Sequence, residues 1–107
     1  MERLTPAEEK VMLKLWSLEQ STVKDIVELY PDPKPAYNTI STIVRILEKK
    51  KFIRHKAVGR GYEYLPKITK EAYRDYLAEN MLENYFENDR KAIVSYFNSR
   101  ASLVDLL

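Results

Sequence analysis

The chain has 107 residues, of which 45% are hydrophobic, and a formal net charge of +2, which fits a small folded protein and excludes a disordered composition. It has no cysteine and one histidine, which excludes disulfides, thiolate metal sites and a cage of histidine ligands. The sequence shows no apolar run of about 18 residues and no signal peptide, so we expect a cytoplasmic protein without a membrane partner.

The charge is distributed unevenly along the chain. Ten basic and two acidic residues lie between Lys34 and Lys70, an excess of eight positive charges. The rest of the chain carries eight basic and fourteen acidic residues, an excess of six negative charges. A basic segment of this kind is typical of nucleic-acid-binding proteins, and the alternative is a solvated charged surface.

The segment LTPAEEKVMLKLWSL predicts a first helix. Thr5 is a good N-cap, Pro6 suits the first helical position, and Glu8 completes a capping box. The apolar residues at helical spacing, expected to form the buried face, are Val11, Met12, Leu15 and Trp16.

A short second helix is predicted in STVKDIVELY, where Thr22 and Asp25 repeat a cap-like pattern. The segment PDPKP then ends this helix, because proline removes a backbone donor and restricts the residue before it. The apolar face of the helix consists of Val23, Ile26, Val27 and Tyr30.

The third predicted helix begins near Pro35 or Ala36 and ends at about Lys50. One side is apolar and is formed by Ile40, Ile43, Val44 and Leu47. At 100° per residue, a polar stripe without acidic residues falls within about 60° of Asn38. This stripe consists of Asn38, Ser41, Thr42, Arg45 and Lys49.

Two short strands, FIRHKAV and GYEYL, follow this helix and flank a GRG turn. Ile53, His55 and Ala57 should share one face of the hairpin, with Arg54 and Lys56 on the other. Thr69 is the expected cap of a long helix, KEAYRDYLAENMLENYF, and Asp89 that of a last helix, RKAIVSYFNS.

The predicted fold is therefore mainly α with a small antiparallel β hairpin. Residues 1–67 are expected to form a winged helix-turn-helix DNA-binding domain and residues 68–107 a C-terminal helical dimerisation region. The DNA major groove admits one helix, whose short polar side chains can reach base edges while Arg45 and the lysines reach phosphates. The hairpin with Arg60 would lie along the adjacent backbone or minor groove.

The C-terminal region is rich in apolar residues that one subunit cannot fully cover, which predicts a homodimer. Glu79, Glu83 and Glu87 are expected to face solvent. The apolar set comprises Tyr73, Tyr76, Leu77, Met81, Leu82, Tyr85, Phe86, Ile93, Val94, Tyr96, Phe97, Leu103, Val104, Leu106 and Leu107.

Successive blocks of the chain resemble the penicillinase-repressor family of bacterial winged-helix regulators. The blocks are LTPAEEKVMLKLW, STVKDIVE, AYNTISTIVRILEKKKFIRHKAVGRGYEYLP and ITKEAY, and the resemblance extends over residues 4 to 98. It implies a dimeric repressor that binds an inverted-repeat operator in double-stranded DNA and is released by proteolysis of its C-terminal region.

The resemblance places Asn38, Thr39, Ser41 and Thr42 where the recognition helix meets the bases. Arg45 matches an arginine that holds this helix on the phosphates. Tyr37 either contacts a phosphate or packs within the protein. The remaining residues expected at the DNA backbone are Lys49, Lys56 and Arg60.

Two features depart from the family pattern. The copper-responsive branch uses C-terminal cysteines, which are absent here. The β-lactam-responsive branch is cut by a regulatory metalloprotease, usually between asparagine and phenylalanine, and the matching residues here are Tyr96 and Phe97. The family's last helices also usually run further than Leu107, so a shortened dimerisation region or a truncated sequence is expected.

Three other interpretations compete with this one. A winged helix that binds only protein would need no basic, acid-free helix face. A dimeric winged-helix regulator of another family, controlled by a small-molecule effector, stays open. Enzymatic activity and a cofactor are not expected, because His55 lies between Arg54 and Lys56 without an acidic sequence neighbour, and no glycine-rich phosphate loop exists.

Overall fold

A computed structural model describes residues 1–104, with side chains described for residues 1–101. The chain divides into two compact units, Met1–Ala72 and a second that begins at Tyr73. The predicted mainly helical fold with an antiparallel hairpin is confirmed. Leu106 and Leu107 lie outside the described residues, as do the side chains of Leu103 and Val104.

Three helices open the first unit: α1 spans Pro6–Leu18, α2 Val23–Glu28 and α3 Tyr37–Lys49. The predicted capping box of α1 is present, since the Thr5 hydroxyl accepts from the Glu8 amide and Glu8 accepts from the Thr5 amide. The C-terminal end of α2 is closed by Lys34, whose ammonium donates to the carbonyl oxygens of Glu28 and Tyr30.

The wing is the antiparallel hairpin of β1 (Ile53–Val58) and β2 (Gly61–Pro66). Its two-residue loop has a positive φ only at Gly59, the first position, which is the pattern of a type II′ turn. Ser21 extends the sheet by a single bridge, because its backbone exchanges hydrogen bonds of 3.1 and 2.7 Å with Tyr64. The wing is therefore attached to the segment that precedes α2.

The core of the first unit is built from apolar side chains of all three helices and the start of the wing. Ion pairs of Lys50 join distant parts of the chain, since its ammonium lies 2.9 Å from a carboxylate oxygen of the buried Glu8 and 3.6 Å from one of Glu2. The buried apolar residues are Leu4, Val11, Met12, Leu15, Val23, Ile26, Ile40, Val44, Leu47, Phe52 and Ile53.

The second unit contains most of α4 (Lys70–Tyr85) and all of α5 (Arg90–Val104). Thr69 and Asp89 act as the predicted caps, accepting from the amides of Ala72 and Ala92 at 3.0 Å. The last helix continues well beyond the predicted Ser99. No helix within residues 1–104 is long and apolar enough to cross a membrane.

Four side chains of the expected apolar faces are only half-buried, and these are Trp16, Val27, Tyr30 and Ile43. Trp16 is only half-buried, and its indole nitrogen donates to the Ile68 carbonyl oxygen at 2.9 Å. Ile43 is also half-buried, so the fully buried stripe of α3 is limited to Ile40, Val44 and Leu47. An indole carries a polar N–H, which explains why Trp16 lies at the edge of the core.

Candidate nucleic-acid interface

Helix α3 separates an apolar face from a polar face. Val44 and Leu47 have no solvent-exposed surface and fix the helix in the core. The opposite face is exposed at Asn38, Thr42 and Arg45, as the sequence pattern predicts. Because the buried side is anchored in the core, the polar side is presented to solvent in a fixed orientation.

The first turn of α3 suits an approaching anion. Its N-cap, Ala36, provides no side-chain hydrogen bond to the helix amides, and the first turn contains no acidic residue. Free amides at a helix N-terminus favour negative groups such as phosphate. Further along, the Thr42 hydroxyl donates to the Asn38 carbonyl oxygen at 2.9 Å, so the hydroxyl hydrogen is already used within the helix.

The two faces of the wing differ in chemistry. The register pairs His55 with Tyr64 and Ala57 with Tyr62 on one face, and Lys56 with Glu63 on the other. The first face adjoins α3, because His55 Nδ1 is hydrogen-bonded to a carboxylate oxygen of Glu48. Glu48, the acidic residue of α3, is thus paired with the wing, and the predicted alternation of Arg54 and Lys56 against His55 is confirmed.

A surface cleft of about 310 Å³ lies where α2, α3 and β2 meet. We call it the Arg45 cleft. Two of its lining residues are basic, five carry hydroxyl groups, and none is acidic. Its lining residues are Thr22, Val23, Lys24, Tyr37, Ser41, Arg45, Gly61, Tyr62 and Tyr64.

The pKa of Tyr64 reflects its position in this cleft. Burial raises the pKa of its phenol, and the nearby Glu48, Tyr37 and Tyr62 raise it further, whereas Arg45 lowers it. The Tyr64 hydroxyl therefore remains protonated at neutral pH and is available as a hydrogen-bond donor.

The structure brings together only part of the predicted DNA-contacting set. Tyr37, Ser41 and Arg45 line the Arg45 cleft, whereas Lys56 lies on the wing face opposite to the one that adjoins α3. The others are exposed but do not line the cleft: Asn38, Thr39 and Thr42 along α3, Lys49 at its last turn and Arg60 in the hairpin loop.

Sequence reasoning missed Lys24 and Tyr62, which line the same cleft as Arg45. Lys24 lies outside the basic segment, and Tyr62 resembles an ordinary strand residue. The sequence feature that could have indicated a role for Lys24 was its position in the first turn of the second predicted helix. Within the described residues, no cluster of three or more histidine, aspartate or glutamate side chains is placed to hold a metal ion.

Three helices followed by an antiparallel wing, with α3 exposing a polar face, define a winged helix-turn-helix protein. A family model described as penicillinase repressor matches residues 4–106. The chain therefore belongs to the penicillinase repressor family, whose members are DNA-binding transcriptional repressors. A comparison with curated proteins gave no significant match.

Proposed function

We propose that this protein is a homodimeric repressor that binds an inverted-repeat operator in double-stranded DNA in the bacterial cytoplasm. The observation that carries the proposal is α3, whose polar face is exposed while the opposite face is locked into the core. A helix held in this way can enter a major groove without rearrangement of the domain.

In this proposal the short polar side chains of α3 read the bases, and basic residues of α3 and the wing hold the DNA backbone. Asn38, Thr39, Ser41 and Thr42 are short enough to let the helix backbone approach the base edges. The basic side chains would neutralise phosphates and release counterions. The backbone contacts are assigned to Tyr37, Arg45, Lys49, Lys56 and Arg60.

The second unit supports the dimer. Several of its apolar side chains are exposed, among them Tyr85 with 73% of its surface and Val94 with 57%. Large exposed apolar residues on neighbouring helices are typical of protein interfaces. Two subunits would also present two copies of α3 to half-sites about one or two DNA turns apart, which supplies the selectivity that one helix lacks.

The repressor is proposed to be released when a regulatory metalloprotease cuts between Tyr96 and Phe97. Both residues lie in α5 and are exposed by 40% and 51%. Tyr96 contacts Phe86, Phe97 and Arg100 through its ring, so cleavage would require this part of the helix to open locally. Loss of the last helical segment would then weaken the dimer.

The test combines light scattering with footprinting on the promoter of the protein's own gene. We expect a particle of about twice the 12.6 kDa chain mass at micromolar concentration, and two protected half-sites related by two-fold symmetry. A monomer at this concentration would contradict the dimer. Protection of one half-site by a dimeric protein would instead contradict the inverted-repeat operator.

A further inference from the structure

The Arg45 cleft has the chemistry of a phosphate site. Lys24 and Arg45 enter it from two different helices, and the wing contributes Tyr62 and Tyr64. Ammonium, guanidinium and hydroxyl groups all donate hydrogen bonds to phosphate oxygens. No lining residue is acidic, and the nearby carboxylate of Glu48 is hydrogen-bonded to His55.

We propose that the Arg45 cleft binds one phosphodiester of the DNA backbone in each half-site, with Lys24 and Tyr62 as contacts in addition to Arg45. This proposal rests on the proposed operator binding and adds two residues to it. Lys24 supplies a charge from the first turn of α2, and Tyr62 supplies a neutral hydroxyl from the wing.

The position of the cleft favours a DNA phosphate over a free anion. Ser41 and Arg45 belong both to the cleft and to the polar stripe of α3, so a duplex docked on the stripe places its backbone beside the cleft. The wing side of the cleft is fixed relative to α3, because Glu48 and His55 are hydrogen-bonded. One phosphate held between α2, α3 and the wing would set the depth and register of α3 in the groove.

The test measures the affinity of the full chain for the operator and for random DNA across a range of chloride concentrations. Lys24→Ala should weaken binding to both DNAs and lower the log–log salt slope by about 0.9 per half-site, or about two for the dimer. Tyr62→Phe should weaken binding to both by about tenfold per half-site, or about a hundredfold for the dimer, with an unchanged slope, because a neutral hydroxyl releases no counterion.

Lys10→Ala is the matched control, since Lys10 is an exposed lysine of α1 in the same unit and outside the cleft lining. Thermal unfolding of each variant verifies that it is folded. If Lys24→Ala binds DNA like Lys10→Ala while the wild type binds the operator, the cleft assignment fails and the proposed function stands. If the folded wild type binds no operator, the cleft assignment and the proposed function both fail.

A titration with inorganic phosphate tests whether the cleft binds a free anion instead of a DNA phosphate. Titrated without DNA at constant ionic strength, inorganic phosphate should leave the NMR signals of the Tyr62 and Tyr64 rings without a saturable shift. A saturable shift that Lys24→Ala abolishes, together with an unchanged DNA salt slope, would identify a free anion as the ligand. That result would overturn the assignment to DNA.

Discussion

Replacing Val44 and Thr42 in turn by alanine tests the different roles of the two faces of α3, since the first residue is in the core and the second is on the proposed DNA-reading face. Val44 has no exposed surface, and its replacement removes two methyl groups worth about 0.8 kcal/mol each in transfer free energy. Val44 shares the buried face of α3 with Ile40 and Leu47, and a cavity in such a core closes only in part, which raises the loss of stability to about 2–3 kcal/mol. For a chain of this size, we expect the Tm to fall by about 10–20 °C.

Thr42→Ala should leave stability almost unchanged and weaken operator binding instead. Thr42 is exposed, so the free energy of unfolding should stay within about 0.5 kcal/mol of the wild type. Because the Thr42 hydroxyl donates to the Asn38 carbonyl oxygen, the proposed base contact uses the methyl group or the hydroxyl oxygen as an acceptor. Loss of this contact should cost about 1–3 kcal/mol of operator affinity in each half-site. Random DNA should be bound almost as before, because no charge is removed.

Denaturant unfolding at one protomer concentration and mobility shifts on operator and random DNA measure the two effects. Operator affinity is compared at a temperature where both variants are folded. The assignment of the two faces would be wrong if folded Val44→Ala lost operator affinity as Thr42→Ala does. Equal weakening of Thr42→Ala on both DNAs would remove Thr42 from the base-reading set.

Two further predictions concern stability in acid and release of the repressor. Burial raises the pKa of Glu8, but its hydrogen bonds with Thr5 and Lys50 outweigh this effect and the pKa is lowered. The ionised Glu8 carboxylate therefore stabilises the fold at neutral pH, and this stabilisation is lost as the pH falls below about 4.5 through the folded pKa. Glu8→Gln should accordingly lose less stability than the wild type between pH 6 and pH 3. An equal loss of stability in both proteins would contradict this. Mass spectrometry of the repressor from induced cells should reveal a fragment that begins at Phe97. The Phe97→Ala variant should stay intact in the same cells. Cleavage at another bond would contradict the assigned site.

The features that the sequence predicted well depend on contacts between close neighbours in the chain. The capping box joins Thr5 and Glu8, three residues apart, and the buried stripe of α3 follows the helical period. The turn of the wing required a positive φ, and glycine stands at that position, Gly59. In each case, residue type and spacing were sufficient because the interaction is local.

The tertiary structure decided which distant side chains meet. Pairing of Glu8 with Lys50, 42 residues away, and of Trp16 with the Ile68 carbonyl oxygen, 52 residues away, depends on how the helices pack. The same packing brings Lys24 and Tyr62 to Arg45, although the sequence separates them widely. Periodicity shows which face of a helix is buried, but only the packed core determines which element lies opposite the exposed face, and that decides where a phosphate site can form.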